Sequence, residues 1–373
     1  MTRPRLLFLV TEDWYFMSHR LHLALAAKAA GYEVAVATRL SSHGDALHSA
    51  GVTVLPFAMG RRAGNPLVEL WSLVSLLRSW RPDILHTVAL KPAVLGSAAA
   101  LLAGVPSVVN AVSGMGYVYI NQTIRARLLR PLLTAALRLL IGRRRCHLIV
   151  QNVDDRAFFV DGGLVPGARV HLIRGSGVDV TRFTAMPEPE GTAVAALVAR
   201  LLWDKGVGEL VEAARLLRAR NIPLRVALVG RPDPANPRSI PEETVRRWVA
   251  EGVVEWWGHS DDVAEVWRRA AIAVLPSYRE GLPKALLEAA ACGRPAVTTD
   301  VPGCREVVAD GDNGLLVPVR SVEPLADALA RLAGDAVLRR TLGERGRQRA
   351  EEEFSESRVA KETLDVYDRL RLR

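Results

Sequence analysis

The 373-residue sequence predicts an α/β protein built from two doubly wound, parallel-sheet domains. Three observations carry this reading. The length suits about two domains at roughly 150 residues each. Apolar runs of strand length alternate with helical patterns, the signature of parallel sheets made from crossover units. That alternation restarts after an aperiodic Pro/Glu/Gly stretch near the middle of the chain. With 49% hydrophobic and 24% charged residues the composition is near the globular average, which excludes wholesale disorder and fibrous architectures.

In order, residues 6–11 read as a strand, 18–30 as a helix, 33–37 and 52–56 as strands and 66–80 as a helix. A strand follows at 84–87, a helix at 92–103, and strands at 107–111, 148–151 and 170–173. Ala185-Met186-Pro187-Glu188-Pro189-Glu190-Gly191 lacks periodicity and is expected to be the linker. The pattern then resumes with strands at 193–198, 224–229, 253–256, 272–276 and 295–298. Helices fall between them at 206–219, 241–251, 263–269 and 283–292, and further helices follow residue 319. Residues 355–372 keep apolar positions at helical spacing with no strand after them. The expected domains are 1–184 and 185–354, with 355–373 a terminal helix crossing back to the first. Two Rossmann-like domains facing across a cleft would bind ligands at the C-terminal ends of their strands.

Cys146, Cys292 and Cys304, with no C-x-x-C spacing, argue against a disulfide framework or a thiolate zinc site and for a reducing cytoplasm. The apolar stretch 6–10 is too short for a signal peptide and reads as the first strand. Residues 92–124 carry no charge, but Gly104, Pro106 and Asn110 interrupt them, so a helix followed by a strand is expected in place of a membrane span.

The net charge of +9 is unevenly placed. Lys and Arg outnumber Asp and Glu by 21 to 10 over residues 1–185 and are outnumbered 30 to 28 over 186–373. The densest part holds Arg125, Arg127, Arg130, Arg138, Arg143, Arg144 and Arg145, interleaved with leucines and free of acids. A basic, leucine-rich helix suits an anionic membrane surface, at about 1 kcal/mol per basic residue near lipid. This predicts peripheral association with the inner face of the cell membrane. An ordinary packed helix with a solvated arginine face is the alternative. The segment offers no aromatic for base stacking and no nucleic-acid module is present, so nucleic acid is not an expected partner.

The chemistry concentrates in Ser277-Tyr278-Arg279-Glu280-Gly281-Leu282-Pro283-Lys284, directly after the strand at 272–276. A loop ending in Gly281-Leu282-Pro283 opens a helix with proline in its first turn, where a missing N–H costs nothing. The positive end of that helix suits a phosphate. Glu280 precedes the helix and Glu288 lies inside it, so the carboxylates stand at different depths, one for a sugar and one for a ribose. Lys284 and Glu288, four residues apart, also fit a plain surface ion pair.

Glu280 and Glu288, with Gly281 and the following Cys292-Gly293-Arg294-Pro295-Ala296-Val297, resemble the donor-binding signature of family-4 retaining glycosyltransferases of GT-B architecture. The resemblance extends through Arg200-Leu201-Leu202-Trp203-Asp204-Lys205-Gly206, where Ala199 stands in place of the usual glycine, and through Asp310-Gly311-Asp312-Asn313-Gly314-Leu315-Leu316-Val317. Upstream, Met17-Ser18-His19-Arg20, His86 with Lys91-Pro92, Gly114-Met115-Gly116-Tyr117, Gln151-Asn152-Val153-Asp154-Asp155 and Gly175-Ser176-Gly177-Val178-Asp179 resemble the subgroup that extends lipid-linked capsule, O-antigen or glycan-carrier saccharides.

The resemblance implies a metal-independent, cofactor-free, retaining enzyme. It would move a hexose or N-acetylhexosamine from a UDP-linked donor to a saccharide on polyprenyl diphosphate. Arg200 and Lys205 would contact the donor diphosphate, since fixed cations meet the charge released there. Glu280 would sit by the donor sugar and Glu288 by the ribose, with Gly281, Leu282, Pro283 and Lys284 completing the donor loop. Arg231, just past the strand ending at Gly230, is expected at the base or phosphate.

Ser18, His19 and Arg20 follow the first strand where many relatives carry a glycine-rich loop. This chain has Trp14-Tyr15-Phe16-Met17 there, which leaves donor phosphate and acceptor both open. His86 either binds acceptor hydroxyls or phosphate or is a hydrogen-bonded structural histidine. Backbone N–H groups of Gly114 to Gly116 are expected to replace a histidine common in the family. Asp310-Gly311-Asp312 reads as a turn, not a metal site, and His19 and His22 lack a third ligand for zinc. Phe158, Phe159, Trp256 and Trp257 read as packing residues. A sugar-nucleotide epimerase and a non-catalytic, membrane-docking nucleotide-sugar-binding protein are the alternatives, and the order of charged residues fits a transferase better.

Overall fold

The computed structural model describes residues 3–41, 43–59, 65–112 and 124–371, with side chains in the last segment from residue 130 onward. The chain forms two compact units, Met1–Ser176 with Glu356–Arg373, and Gly177–Ser355.

Unit 1 runs β1 (Arg5–Glu12), α1 (Asp13–His19), α2 (Leu21–Ala29), β2 (Glu33–Arg39), α3 (Gly44–Ser49), β3 (Thr53–Pro56), α4 (Pro66–Trp80), β4 (Ile84–Val88), α5 (Leu90–Ala103), β5 (Ser107–Val112), α6 (Ile124–Leu140), β6 (Cys146–Val150), α7 (Val153–Asp161) and β7 (Val170–Leu172). Its sheet has the order β3-β2-β1-β4-β5-β6-β7 and every pairing is parallel. The strands β4, β5 and β6 are buried along their whole length, because helices cover both faces of a parallel sheet.

Unit 2 runs β8 (Val194–Val198), α8 (Val207–Ala219), β9 (Arg225–Val229), α9 (Glu242–Ala250), β10 (Glu255–Gly258), α10 (Val263–Arg269), β11 (Ile272–Leu275), α11 (Lys284–Ala291), β12 (Ala296–Thr299), α12 (Cys304–Val307), β13 (Gly314–Val317), α13 (Val322–Gly334) and α14 (Ala336–Glu353). Its parallel sheet has the order β10-β9-β8-β11-β12-β13. In both units the strand order reverses once, between β1 and β4 and between β8 and β11. Ligands of open α/β sheets bind outside the strand ends at that reversal.

The last helix, α15 (Glu356–Arg371), belongs to unit 1. Its buried Val359, Ala360, Val366 and Tyr367 share one apolar cluster with Phe8, Phe16 and Leu23, and the Tyr32 hydroxyl donates to Asp368 at 3.1 Å.

Two expectations are corrected. The helix expected over 18–30 is two helices, α1 and α2, broken at Arg20, whose backbone (φ −135°, ψ −11°) leaves the helical region. The expected linker at 185–191 is part of unit 2. The Met186 N–H donates to the Cys292 carbonyl at 3.3 Å, and the buried Arg294 guanidinium donates to the carbonyls of Trp267, Met186 and Pro187. A buried cation that collects backbone carbonyls leaves no hydrophobic period to read. The chain enters and leaves unit 2 side by side, with the Val178 N–H donating to Phe354 O at 2.8 Å. Phe159 is fully buried with its ring edge-on to Phe158, while Trp256 Nε1 donates to Gly230 O at 2.8 Å.

All three cysteines are free and buried. Burial, as the leading cause, pushes the Cys292 and Cys304 thiols up to about 12 and moves Cys146 upward. Because the thiolate is the reactive form, Ellman's reagent at pH 8 should react with none of them in the native protein and with all three after unfolding. Fast native labelling would contradict this packing.

Candidate active site

At the reversal point of unit 2 the loop after β8 meets the end of β11. Gly206 has φ +69°, and a Cβ there would overlap the Pro276 carbonyl. Only glycine permits this approach, which pins Lys205 beside the loop after β11. The Tyr278 N–H donates to Asp204 O at 2.9 Å, a second tie between the same segments. On the other flank Gly303, at φ +82°, lies against the carbonyls of Glu280 and Gly281 with no room for a Cβ.

These ties bring Lys205 Nζ to 2.5 Å from Glu280 Oε1, with the side chains 22% and 12% exposed. Arg200 Nη1 lies 2.7 Å from Asp233 Oδ2. Arg231 is exposed, and its carbonyl accepts from the Leu201 N–H at 3.1 Å, which places it beside Arg200. Pro283 is the N-cap of α11 and not a residue of its first turn. No side chain caps α11 and no acid lies in its first turn, so the helix itself brings no first-turn carboxylate to its positive end. Leu282 is half-buried and Glu288 is buried, and Lys284 Nζ stands 3.9 Å from Glu288 Oε1. The i,i+4 pair expected from spacing therefore exists, but both partners lie largely within the unit, so it is more than a solvated surface contact.

Around this group, the Tyr278 hydroxyl donates to Glu209 Oε1 at 2.6 Å, and Arg320 lies over the Tyr278 ring at 4.5 Å. Burial first and Glu209 next push the Tyr278 hydroxyl up to about 12, so it remains a donor. The Asp310 carboxylate accepts from the Leu316 N–H at 2.8 Å, and the buried Asn313 side chain bonds Ala309 N and Val307 O. Both residues close a turn, as local Asx hydrogen bonding predicts.

In unit 1, Ser18 is exposed and its Oγ lies 2.6 Å from His19 Nδ1. The His19 ring stacks on Tyr15 at 4.1 Å between centroids. Arg20 is buried at the α1–α2 break. His86 occupies the middle of β4, opposite Phe8 of β1, is 1% exposed, and has Nδ1 2.6 Å from the Tyr367 hydroxyl. Gly114 and Gly116 lie outside the described residues. Asp233, Tyr278 and Tyr367 were not singled out as site residues in the sequence. Asp233 lies in the loop after β9, while nothing local marks the contact of Tyr367, 281 residues from His86.

Removing the Tyr367 hydroxyl strands a buried ring nitrogen. Tyr367→Phe should lower stability by about 1–3 kcal/mol, read as a lower denaturant midpoint at unchanged slope. Burial first and the charge of Arg20 second hold His86 well below its ordinary range. A histidine kept neutral in the fold contributes stability above its unfolded pKa of about 6.5 and loses it as pH falls below that. Stability should therefore decline from about pH 6.5 downward, and His86→Gln should flatten that limb. An unchanged acid limb would contradict a neutral buried imidazole.

Residues 192–335 match the model of the family "Glycosyl transferases group 1", and residues 5–145 match "Glycosyl transferase 4-like". The chain is 28% identical over 379 residues to the N,N'-diacetylbacillosaminyl-diphospho-undecaprenol alpha-1,3-N-acetylgalactosaminyltransferase of Campylobacter jejuni, covering 95% of this chain and 98% of that one. It is 27% identical to the UDP-Gal:alpha-D-GlcNAc-diphosphoundecaprenol alpha-1,3-galactosyltransferase of Escherichia coli, covering 72% and 71%. Among solved structures, the sucrose-phosphate synthase of Thermosynechococcus elongatus superposes with a TM-score of 0.82 at 22% identity over 99% of both chains. HepE of Anabaena, in complex with UDP and glucose, superposes at 0.77 and 18% over 97% and 99%. Two Rossmann-like units with this charged reversal point define a glycosyltransferase fold of the GT-B kind. The chain belongs to the family-4 glycosyltransferases.

Proposed function

We propose that the protein transfers a hexose or N-acetylhexosamine, with retention, from a UDP-linked sugar to a saccharide carried on polyprenyl diphosphate. The single observation that carries the reading is the grouping of Arg200, Lys205, Glu280, Glu288 and the α11 N-terminus at the strand-order reversal of unit 2. The undecaprenyl-diphosphate acceptors named for the Campylobacter and Escherichia relatives, and the UDP bound to HepE, support the substrate classes.

Arg200, Lys205 and the helix N-terminus neutralise the departing diphosphate. Glu280, held by Lys205, faces the donor sugar and favours positive charge at its anomeric carbon. Glu288 accepts from the ribose hydroxyls, Gly281 to Lys284 line the donor, and Arg231 meets the base or phosphate. The anomeric C–O bond to phosphate breaks while the acceptor oxygen bonds the same face of that carbon. The acceptor's proton passes to the leaving phosphate, and UDP departs. No divalent ion takes part in this scheme. Lys205→Ala and Glu288→Ala should each abolish transfer of radiolabelled sugar while circular dichroism stays native. EDTA should leave the wild-type rate unchanged. Full activity of either variant, or loss of turnover in EDTA, would refute the scheme.

The acceptor is membrane-borne, and we infer peripheral docking on the inner face of the cell membrane through α6 and the turn after it. Leu132 and Leu139 of α6 are exposed beside exposed Arg138, Arg144 and Arg145, an apolar and basic surface suited to anionic lipid. Among the described residues no helix is long and apolar enough to cross a membrane. Sedimentation with phosphatidylglycerol vesicles should exceed that with phosphatidylcholine vesicles and fall with added salt. Failure to bind at any salt would return α6 to an ordinary solvated helix.

A further inference from the structure

Unit 1 contains a buried cation with no paired carboxylate among the described residues. Arg20 is 4% exposed. Among the described residues its guanidinium donates once, from Nη1 to the carbonyl of its neighbour His19 at 3.1 Å, and its Nε has no partner. Among the described residues no carboxylate is paired with it. A guanidinium withdrawn from water carries a large desolvation cost unless an anion answers it. The surroundings add to the positive potential. Arg20 is itself the N-cap of α2, whose first turn contains no acid, so the helix dipole and the side chain present the same sign.

A second orphan lies within reach of its field. His86 is buried with Nδ1 against the Tyr367 hydroxyl, and its Nε2 has no partner. Burial disfavours ionisation of both groups; the charge of Arg20 adds to that at His86 and opposes it at Tyr367, which desolvation still holds well above its ordinary range, so it keeps its proton. When that proton is donated to Nδ1, the imidazole carries its own hydrogen on Nε2, a second buried donor. Arginine is the residue that grips a phosphate through a planar fork.

We propose that Arg20 is a phosphate seat of unit 1, filled by a diphosphate when substrate is bound. This deepens the transferase reading and rests on it for the two available sources, the nucleotide of the donor and the polyprenyl carrier of the acceptor. It also separates Arg20 from its neighbours: Ser18 and His19 bond each other at the surface, and Arg20 alone turns inward. Tyr367, on α15, holds the His86 ring from the terminal helix, its hydroxyl 2.6 Å from Nδ1.

The test is calorimetric titration of wild type and Arg20→Met with inorganic pyrophosphate, UDP and geranyl diphosphate. We expect pyrophosphate affinity to fall by about tenfold or more, the size of a lost charge-assisted pair. A matching loss for UDP alone assigns the seat to the donor, and for geranyl diphosphate alone to the acceptor. Wild-type affinity in all three arms overturns the proposal. Arg20→Lys, which keeps the charge and loses the fork, should recover part of the affinity.

The ligand-free Arg20→Met protein should melt no lower than wild type, because an apolar chain replaces a lone buried charge. Should Arg20→Met not fold, wild-type crystals soaked in UDP or geranyl diphosphate decide: phosphorus density beside the guanidinium supports the seat, and its absence from Arg20 in both overturns it. Failure here is separable from failure of the transferase reading. Loss of pyrophosphate binding in Arg20→Met alongside active Lys205→Ala and Glu288→Ala variants would sink the transfer scheme and leave the seat standing.

Discussion

Two backbone approaches too close for any side chain, at Gly206 against Pro276 and at Gly303 against Glu280 and Gly281, hold the charged residues of unit 2 in register. Parallel strands deliver their C-terminal loops to one edge of the sheet, but loops alone would let long lysine and glutamate side chains wander. The Gly206 contact locks the loop after β8 onto the loop after β11, and the Gly303 contact locks the loop after β12 onto it. The result is a 2.5 Å Lys205–Glu280 pair that is only partly solvated. A cation held there is preorganised, which is what stabilises charge as it develops on a leaving group.

The same economy of side chains governs the way the fold treats arginine. Arg294 is buried and collects three carbonyls. Arg339 is buried with Glu188 and the carbonyls of Leu332 and Ala333. Each of these guanidiniums is answered by the protein. Arg20 is answered by one neighbouring carbonyl, and this contrast within a single chain sets it apart from structural arginines. A buried cation without a partner is costly unless a ligand arrives to share it.

The terminal helix α15 has a role beyond closing the unit. Its Tyr367 reaches the middle of the sheet and holds the imidazole of His86 in one orientation. The chain thus couples its last helix to the strand next to the reversal point of unit 1. Alteration of that helix should therefore be felt at β4 as well as at the chain end.

Much was legible without coordinates. Alternating apolar runs and helical periods determined two α/β units, because parallel strands covered on both faces must be apolar throughout. The spacing of Glu280 and Glu288, and the cations Arg200 and Lys205 after a strand, were local patterns and could be read as such. Tertiary structure decided what pairs with what. Asp233 answering Arg200, Tyr367 answering His86, and Arg294 drawing 186–187 into unit 2 depend on contacts 33, 281 and more than 100 residues apart. The break at Arg20 likewise escaped the helical period, since the apolar positions continue through it while the backbone does not. Periodicity records which face is buried. It carries no information on which distant polar group meets a buried charge, because that depends on where the folded chain returns.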